Sequence, residues 1–390
     1  MPTLEQTVIQ RIKRLIASPS VSSTNPHWDS SNLDVIQHLA DFAEAQGFAV
    51  DIQPLPGNPD KANLVARLGP ESPSNQRRGL VLSGHTDTVP FDAERWRSDP
   101  LQATEYDGAL HGLGSADMKS FFALALAAAD SFNAKALSAP LYLVATCDEE
   151  STMAGARHLV AETFAGARAA IIGEPTSLQP VRMHKGIMMQ AITLKGRSGH
   201  SSNPALGNNA IDALPQLLGL LSEYRLNLAQ RFRCELLPVA NPTLNFGCVH
   251  GGDNPNRICG EVELHFDVRL VPGLDFNAVE AELQHFVEQL AKDRELDVEM
   301  RRLIEPVPAF EQPISADLVA LTESLSGHDA MGVNYATEAP FLQQLGLETI
   351  VLGPGSIDTA HKADEHLPLN QLKPAIKLLQ SAIANYCTSH

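Results

Sequence analysis

The chain has 390 residues, 44% of them hydrophobic, and a formal net charge of −17. This charge argues against a nucleic-acid-binding protein, because phosphates require a basic surface; it permits a cationic small substrate but serves solubility equally well. No apolar run reaches the roughly 18 residues of a membrane helix, Met1–Gln6 lack the features of a signal peptide, and the five cysteines form no C-x-x-C pair. We therefore expect a cytoplasmic protein that does not contact membranes.

The first part of the chain alternates helical and strand patterns. Apolar periodicity predicts helices over Thr7–Ile16 and Ser31–Gln46, followed by strands over Phe48–Gln53 and Asn63–Leu68. Lys119–Ala136, rich in alanine, leucine and phenylalanine, is predicted to be a buried helix. Short continuous apolar runs, typical of buried strands in an α/β sheet, occur at Leu80–Leu82, Leu141–Ala145, Ala169–Ile172 and Thr349–Leu352.

The pattern changes after Glu174. The predicted elements are, in order, the strand Gly186–Gly196, the helix Ala205–Ala229, the strands Pro242–His250 and Ile258–Leu270, the helix Asn277–Asp293 and the strand Leu296–Ile304. This β-α-β-β-α-β order is that of a ferredoxin-like domain, and a helix over Ser315–Leu325 resumes the first domain. We predict an α/β catalytic domain at 1–182 and 306–390, with a mixed, mostly parallel central sheet flanked by helices, and an inserted ferredoxin-like domain at 183–305.

Polar residues with metal-binding potential follow most of the predicted strands of the catalytic domain. Ligands of α/β folds gather outside the carboxyl ends of strands. Several carboxylates in one crevice resist ionisation unless a cation neutralises them, so this arrangement predicts a metal site. The residues concerned are His85 and Asp87, Asp117, Asp148 to Glu150, Glu174 and His361.

The types of these residues indicate which metal to expect. Two histidines and three or four carboxylates, without cysteine, suit a pair of divalent ions such as Zn²⁺, Co²⁺ or Mn²⁺. Taken singly, each motif has an ordinary explanation: His85-x-Asp87 as a satisfied polar pair, and Glu149-Glu150 as a solvated helix start. Their combination favours the metal site.

With these motifs in view, the chain resembles the metallopeptidase family that includes carboxypeptidase G2, succinyl-diaminopimelate desuccinylase and aminoacylases, and within it the acetylornithine deacetylases. The metal motifs indicate the family with high specificity. The subfamily is indicated less specifically, by Thr176–Pro180, His250–Asp253 and Thr337–Pro340. The similarity runs through Ser83–Asp92, Gly112–Phe122, Asp148–Arg157, Ile171–Val181, Ser198–Pro204, Gly251–Ile258, Tyr335–Phe341 and Val351–Glu365.

The resemblance implies a role for each residue of the metal motifs. Asp117 would bridge two ions, Zn²⁺ by preference and Co²⁺ as a second possibility, and would precede a cis peptide bond to Met118. One ion would also bind His85 and Glu174, and the other Glu150 and His361. Glu149 would be the general base and Asp87 the partner of His85.

The inserted domain is expected to be a lid and to form a homodimer. His200, in Ser198-Gly199-His200-Ser201, would donate a hydrogen bond to the developing oxyanion, often from the neighbouring subunit; the alternative is a polar turn before a helix. Arg269 would bind the substrate's α-carboxylate with help from Asn256. Arg257 is a competing candidate, and surface ion pairs are the alternative for both arginines.

The resemblance implies hydrolysis of N2-acetyl-L-ornithine to L-ornithine and acetate, a step of arginine biosynthesis. Other N-acyl amino acids, such as acetylcitrulline or succinyl-diaminopimelate, are alternative substrates, and a non-catalytic binding protein is a third reading. Glu338 is the acid of Tyr335–Phe341 and is a candidate to bind the ammonium of ornithine. Its alternative role is to orient a loop or a metal ligand.

Overall fold

The computed structural model describes residues 3–71 and 77–389. The α-helices in these residues are α1 (Leu4–Ile16), α2 (Leu33–Ala45), α3 (Lys119–Ala129), α4 (Ala154–Arg157), α5 (Leu214–Arg231), α6 (Phe276–Asp293), α7 (Asp317–Ser326), α8 (Ala339–Gln344) and α9 (Leu372–Cys387). The strands are β1 (Ala49–Leu55), β2 (Asn58–Leu68), β3 (Gly79–His85), β4 (Thr104–Tyr106), β5 (Ala109–His111), β6 (Leu141–Thr146), β7 (Ala167–Pro175), β8 (Val181–His184), β9 (Gly186–Lys195), β10 (Gly199–His200), β11 (Thr243–Gly251), β12 (Arg257–Ile258), β13 (Glu261–Leu270), β14 (Asp297–Arg302), β15 (Phe310–Glu311), β16 (Met331–Val333), β17 (Glu348–Gly353) and β18 (His366–Pro368).

The chain divides into two compact units. The first consists of Met1–Arg182, Gln312–Met331 and Thr337–His390, and the second of Met183–Glu311 and Gly332–Ala336. Each unit has its own hydrophobic core. None of the helices in the described part of the chain is both long and apolar enough to cross a membrane.

The first unit is built on a large mixed sheet with the strand order β1-β2-β6-β3-β7-β17. The four strands β6, β3, β7 and β17 are mutually parallel, whereas β1 and β2 are antiparallel to their neighbours. Every residue of α3 is buried, as expected for a helix in which alanine, leucine and phenylalanine cover the whole circumference. The predicted α/β class, with a mixed sheet and flanking helices, is confirmed.

The second unit contains an antiparallel sheet of four strands in the order β11-β13-β9-β14. Helices α5 and α6 supply apolar side chains to its core, among them Leu217, Leu221, Leu283 and Val287. Along the chain the main elements run β9, α5, β11, β13, α6, β14, which is the predicted β-α-β-β-α-β order.

Two predicted helices have different limits in the structure. The helix expected over Ala205–Ala229 begins only at Leu214, because the asparagines at 203 and 209 cap short 3-10 turns by accepting backbone N–H bonds. The helix expected over Lys119–Ala136 ends at Ala129, since Asn133 caps a separate 3-10 turn in the same way.

Candidate metal centre and active site

The candidate site lies at one edge of the sheet of the first unit. His85 is the last residue of β3, and Glu174 is the last but one of β7. Glu150 follows the end of β6, and His361 follows the end of β17. Because these four strands are parallel, their carboxyl ends share an edge, which explains why residues far apart in sequence meet here.

The first group consists of His85, Asp117 and Glu174, all buried, with one potential ligand atom from each lying within 4.8 Å of the others. The His85 Nε2 atom is 3.0 Å from Asp117 Oδ1 and 3.9 Å from Glu174 Oε1. The His85 Nδ1 atom is 2.9 Å from the backbone carbonyl oxygen of Asp87. If Nδ1 carries the proton and donates it to that carbonyl, Nε2 is unprotonated, and its lone pair faces the two acids.

The second group consists of Asp117, Glu150 and His361, again with potential ligand atoms within 4.8 Å. The His361 Nε2 atom is 2.8 Å from Glu150 Oε1 and 3.4 Å from Asp117 Oδ2. Asp117 thus presents one carboxyl oxygen to each group. The His361 side chain is 49% exposed, so the second group opens to solvent where the first is closed.

Ionisation is unfavourable for several acids of this cluster. Burial and the charge of Glu174 raise the pKa of Glu149 well above its usual range. Burial and the charge of Asp117 do the same to Glu174 and also raise the pKa of Glu150. Hydrogen bonds with Asp117 and Glu150 raise the pKa of His361 to about 10. Fully ionised, the cluster would carry more negative charge than its own side chains can neutralise, so a bound cation would favour the ionised acids.

The model of the peptidase family M20/M25/M40 matches residues 81–385, a span that includes every residue of both groups. The chain belongs to peptidase family M20/M25/M40. It is thus a member of a family of enzymes that hydrolyse peptide and related amide bonds.

Solved structures with the same fold come from several organisms. A tripeptidase from Staphylococcus aureus superposes with a TM-score of 0.76 at 20% identity, covering 97% of each chain. An M20 family metallo-carboxypeptidase from Sulfolobus solfataricus gives 0.73 at 17% identity, covering 99% of each chain. A Bacillus subtilis protein described as a dinuclear metal binding peptidase from the M20 family gives 0.67 at 14% identity, covering 98% of each chain. At these identities the comparisons establish the fold.

Two further carboxylates support the site through the backbone. Asp87 is fully buried, and its Oδ2 atom accepts a 3.0 Å hydrogen bond from the backbone N–H of Glu150. Its Oδ1 atom is 3.7 Å from His85 Nδ1, so the closer partner of that imidazole is the Asp87 carbonyl. Asp87 therefore connects a residue of each group.

Glu365 is the second supporting acid, and the sequence motifs did not indicate a role for it. It is 2% exposed and accepts three backbone hydrogen bonds, from Gly114 (3.0 Å), Ala116 (2.8 Å) and Asp117 (2.9 Å). These bonds fix the turn that ends at Asp117. The bond from Asp117 to Met118 is cis, as the resemblance implied. The only sequence signal for Glu365 is its place four residues after His361.

Glu338 also belongs to the acidic cluster. It is 1% exposed, and the Thr146 side chain is near enough to its carboxyl group for a hydrogen bond that opposes the effect of burial on its pKa. Burial raises its pKa to about 7, and its charge is one of those that raise the pKa of Glu149 and Glu174, after burial and nearer acids. Glu338 is thus a buried acid close to the candidate metal ligands.

The remaining predicted residues lie in the second unit. His200 pairs with Arg257 across β10 and β12, and the backbone carbonyl of Asn256 accepts a 3.0 Å bond from Ser201. Arg269 lies on another strand, β13. There its Nε atom donates a 2.8 Å hydrogen bond to Asp267.

Both candidate arginines have carboxylate partners in the second unit. Arg269 bonds to Asp267, and Arg257 forms an ion pair with Asp253. The side chains of both Arg257 and Asp253 are more than half exposed, whereas those of Arg269 and Asp267 are 31% and 24% exposed. Arg269 is therefore the less hydrated of the two. A substrate carboxylate would have to compete with an acid of the protein at either position.

Proposed function

We propose that this chain hydrolyses N2-acetyl-L-ornithine to L-ornithine and acetate, the reaction of the subfamily that its motifs most resemble. The observation that carries the proposal is the sharing of Asp117 between two ligand groups. Such an arrangement suits two divalent ions held side by side, and two-metal sites are typical of aminopeptidases and related hydrolases.

The donor set fits such a pair of ions. Imidazole and carboxylate ligands without cysteine suit Zn²⁺, with Co²⁺ as an alternative. The Glu174 Oε1 atom is buried and has no hydrogen-bond partner in the described part of the chain, although buried polar atoms are normally satisfied. His85 and Glu174 would hold one ion, Glu150 and His361 the other, and Asp117 both.

The metal ligands and Glu149 have separate roles in the proposed hydrolysis. Bound ions of this kind lower the pKa of water and polarise an amide carbonyl. Glu149 belongs to neither ligand group and is next to Glu150, so it can take the proton of the attacking water and deliver it to the leaving amine nitrogen.

His200 is proposed to stabilise the oxyanion. The backbone N–H of Ser202 donates to His200 Nδ1 over 3.2 Å, so a neutral imidazole carries its proton on Nε2 and can donate from there. We propose that this donor is delivered by the other subunit of a homodimer, and that the second unit acts as a lid that excludes water from the reaction.

Substrate recognition is proposed for four residues. Arg269, or alternatively Arg257, would bind the α-carboxylate through the planar guanidinium fork, with Asn256 as a further donor. Glu338 would bind the ammonium at the end of the ornithine side chain, because it is a buried acid close to the candidate metal ligands. Acetylcitrulline has a neutral ureido group instead, and succinyl-diaminopimelate a larger acyl group.

The test compares acetylornithine, acetylcitrulline, acetylmethionine and succinyl-diaminopimelate as substrates, after removal of metal with a chelator and reloading with Zn²⁺ or Co²⁺. We expect no turnover without metal and the highest kcat/KM on acetylornithine. A preference for another N-acyl amino acid would keep the mechanism and change the substrate. Activity that survives complete removal of metal would disprove the mechanism.

The role of Glu149 is tested separately. Glu149→Ala should bind two equivalents of Zn²⁺ yet lose at least the roughly 10²–10⁴-fold that a general base contributes. Glu44→Ala, at an exposed position of α2, is the matched control and should retain full activity. Loss of one Zn²⁺ equivalent from Glu149→Ala would require the roles of Glu149 and Glu150 to be exchanged.

A further inference from the structure

Lys61 is a buried cation behind the candidate site, in the first unit. Its side chain is 1% exposed, and its Nζ atom lies 2.8 Å from both Asp29 Oδ1 and Asp148 Oδ1. Burial alone would lower the pKa of Lys61, but the hydrogen bonds to Asp148 and Asp29 outweigh it and raise the pKa. Lys61 is therefore charged at neutral pH, and a buried charge requires such partners.

The sheet register explains why Lys61 meets Asp148. Strands β2 and β6 are antiparallel, with Leu64 opposite Ala145. This is the last pair of the ladder, and Lys61 and Asp148 each lie three residues beyond it, on the same side of the pair. The neighbouring residue Asn63 supports the alignment, because its Oδ1 atom accepts a 3.2 Å bond from the backbone N–H of Cys147.

Asp148 is held at both its side chain and its backbone. Its Oδ1 atom accepts a 2.9 Å hydrogen bond from Ser22 Oγ in addition to the contact with Lys61. Its φ of 59° lies in the left-handed region, which non-glycine residues seldom occupy. Its carbonyl accepts backbone bonds from Thr152 (3.0 Å) and Met153 (2.6 Å). The turn closed by these bonds contains Glu149 and Glu150.

We propose that Lys61 is a positioning residue, whose buried ion pair with Asp148 fixes the turn that aims Glu149 and Glu150. The proposal rests on the functions proposed above for these two glutamates. Without the ammonium, Asp148 would be a buried carboxylate with a single hydroxyl donor, and the turn would relax toward a commoner backbone conformation. A displacement of about 1 Å at a catalytic group can cost about 10²-fold in rate.

The first test is Lys61→Met, which keeps an unbranched side chain only one atom shorter and removes its charge. We expect kcat to fall about 10–100-fold, the range seen when groups that orient metal ligands are removed, with KM changed less than about threefold. Zn²⁺ affinity, measured by competition with a chromophoric chelator, should weaken for one of two equivalents. Lys195→Met is the matched control, since Lys195 forms an exposed 2.8 Å ion pair with Glu299, and it should leave kcat and Zn²⁺ affinity unchanged.

A double variant separates positioning from simple charge compensation. Lys61→Met with Asp148→Asn removes both charges of the buried pair and leaves only Asp29 without its lysine, where a 28% exposed side chain remains accessible to water. Asparagine tolerates the left-handed region better than most residues. We expect this variant to recover the melting temperature but not kcat or Zn²⁺ affinity. If it recovers kcat to within twofold of the wild type, Lys61 only neutralises Asp148 and the positioning proposal is wrong. The double variant carries this test even if Lys61→Met does not fold.

Failure of this proposal is distinguishable from failure of the proposed function. If Glu149→Ala and Glu150→Ala retain turnover in the otherwise unchanged chain, the assigned roles are wrong and Lys61 has nothing to position. If both abolish turnover while Lys61→Met keeps the wild-type kcat and Zn²⁺ affinity, the catalytic roles stand and the positioning role is refuted.

Discussion

Gly173 immediately precedes the candidate metal ligand Glu174 and packs directly against the ring of Phe121. This contact allows a quantitative prediction. A Cβ atom added at Gly173 would lie 2.0, 2.1 and 2.4 Å from the Cγ, Cδ2 and Cδ1 atoms of Phe121. Phe121 is 1% exposed, in a helix that is buried throughout, so its ring has little room to move. Glu174 follows Gly173 on the same strand, and any shift of the backbone is passed to its carboxylate.

Gly173→Ala should therefore destabilise the first unit by about 3 kcal/mol, the upper part of the range for overpacked cores. Phe121→Leu alone removes part of the ring and should cost about 1–2 kcal/mol. If the overlap of these two side chains is the cause, the double variant will be less destabilised than the sum of the single variants. The coupling energy should be at least about 1 kcal/mol.

Urea unfolding followed by tryptophan fluorescence measures these changes, because both tryptophans, Trp28 and Trp96, belong to the first unit. Gly219→Ala is the control: it lies in α5 of the second unit, a Cβ there meets nothing within 4 Å, and it should not lower the transition. A cost below about 1 kcal/mol for Gly173→Ala, or additive behaviour in the double variant, would refute the packing argument.

Three other predictions concern recognition, pH and assembly. Glu338→Gln should lower kcat/KM for acetylornithine more than for acetylcitrulline if Glu338 binds the ammonium; equal losses would mean that it serves the architecture of the site instead. Hydrogen bonds with His265 and Thr193 lower the pKa of Glu263 from 4.5 to about 2. The ionised Glu263 carboxylate therefore stabilises the folded state fully above pH 4.5, and this stabilisation is lost as pH falls through about 2. The difference in melting temperature between Glu263→Gln and wild type should accordingly be smaller at pH 3 than at pH 6, and an equal difference at both would contradict the assignment. Mixing inactive His200→Ala with inactive Glu149→Ala should regenerate activity if His200 acts across a dimer, whereas no recovery after verified subunit exchange would count against donation in trans.

The part of the site formed by strand ends was predictable from sequence. Buried parallel strands appear as continuous apolar runs, so His85 and Glu174 could be placed at their carboxyl ends without knowledge of the strand order. The parallel order of the central strands then brings these ends to one edge. For the same reason the coarse fold class was predictable.

Glu365 and Lys61 were not predictable in this way. Glu365 contacts backbone N–H groups 248 to 251 positions earlier in the chain, and no local pattern encodes that distance. Lys61 follows Asn58, Pro59 and Asp60, residues that are typical of a turn, and its burial depends on the register between β2 and β6. The late start of α5 has a local cause, the capping by Asn203 and Asn209, but asparagine also occurs in ordinary loops.

The two supporting acids act on the candidate site in a common way. Asp87 accepts the backbone N–H of Glu150, and Glu365 accepts the backbone N–H of Asp117. Each therefore fixes the main chain of a candidate ligand and, among the described residues, makes no hydrogen bond to its carboxylate. The carboxylate oxygens of each ligand thus stay available for a cation while a buried carboxyl group holds the backbone. Burial raises the pKa of both supporting acids, that of Glu365 to about 8, and the backbone hydrogen bonds oppose this rise. A cation bound among the ligands would favour the ionised form of both acids, and the ionised form makes the stronger hydrogen bonds. Metal binding and the orientation of the ligands therefore reinforce each other.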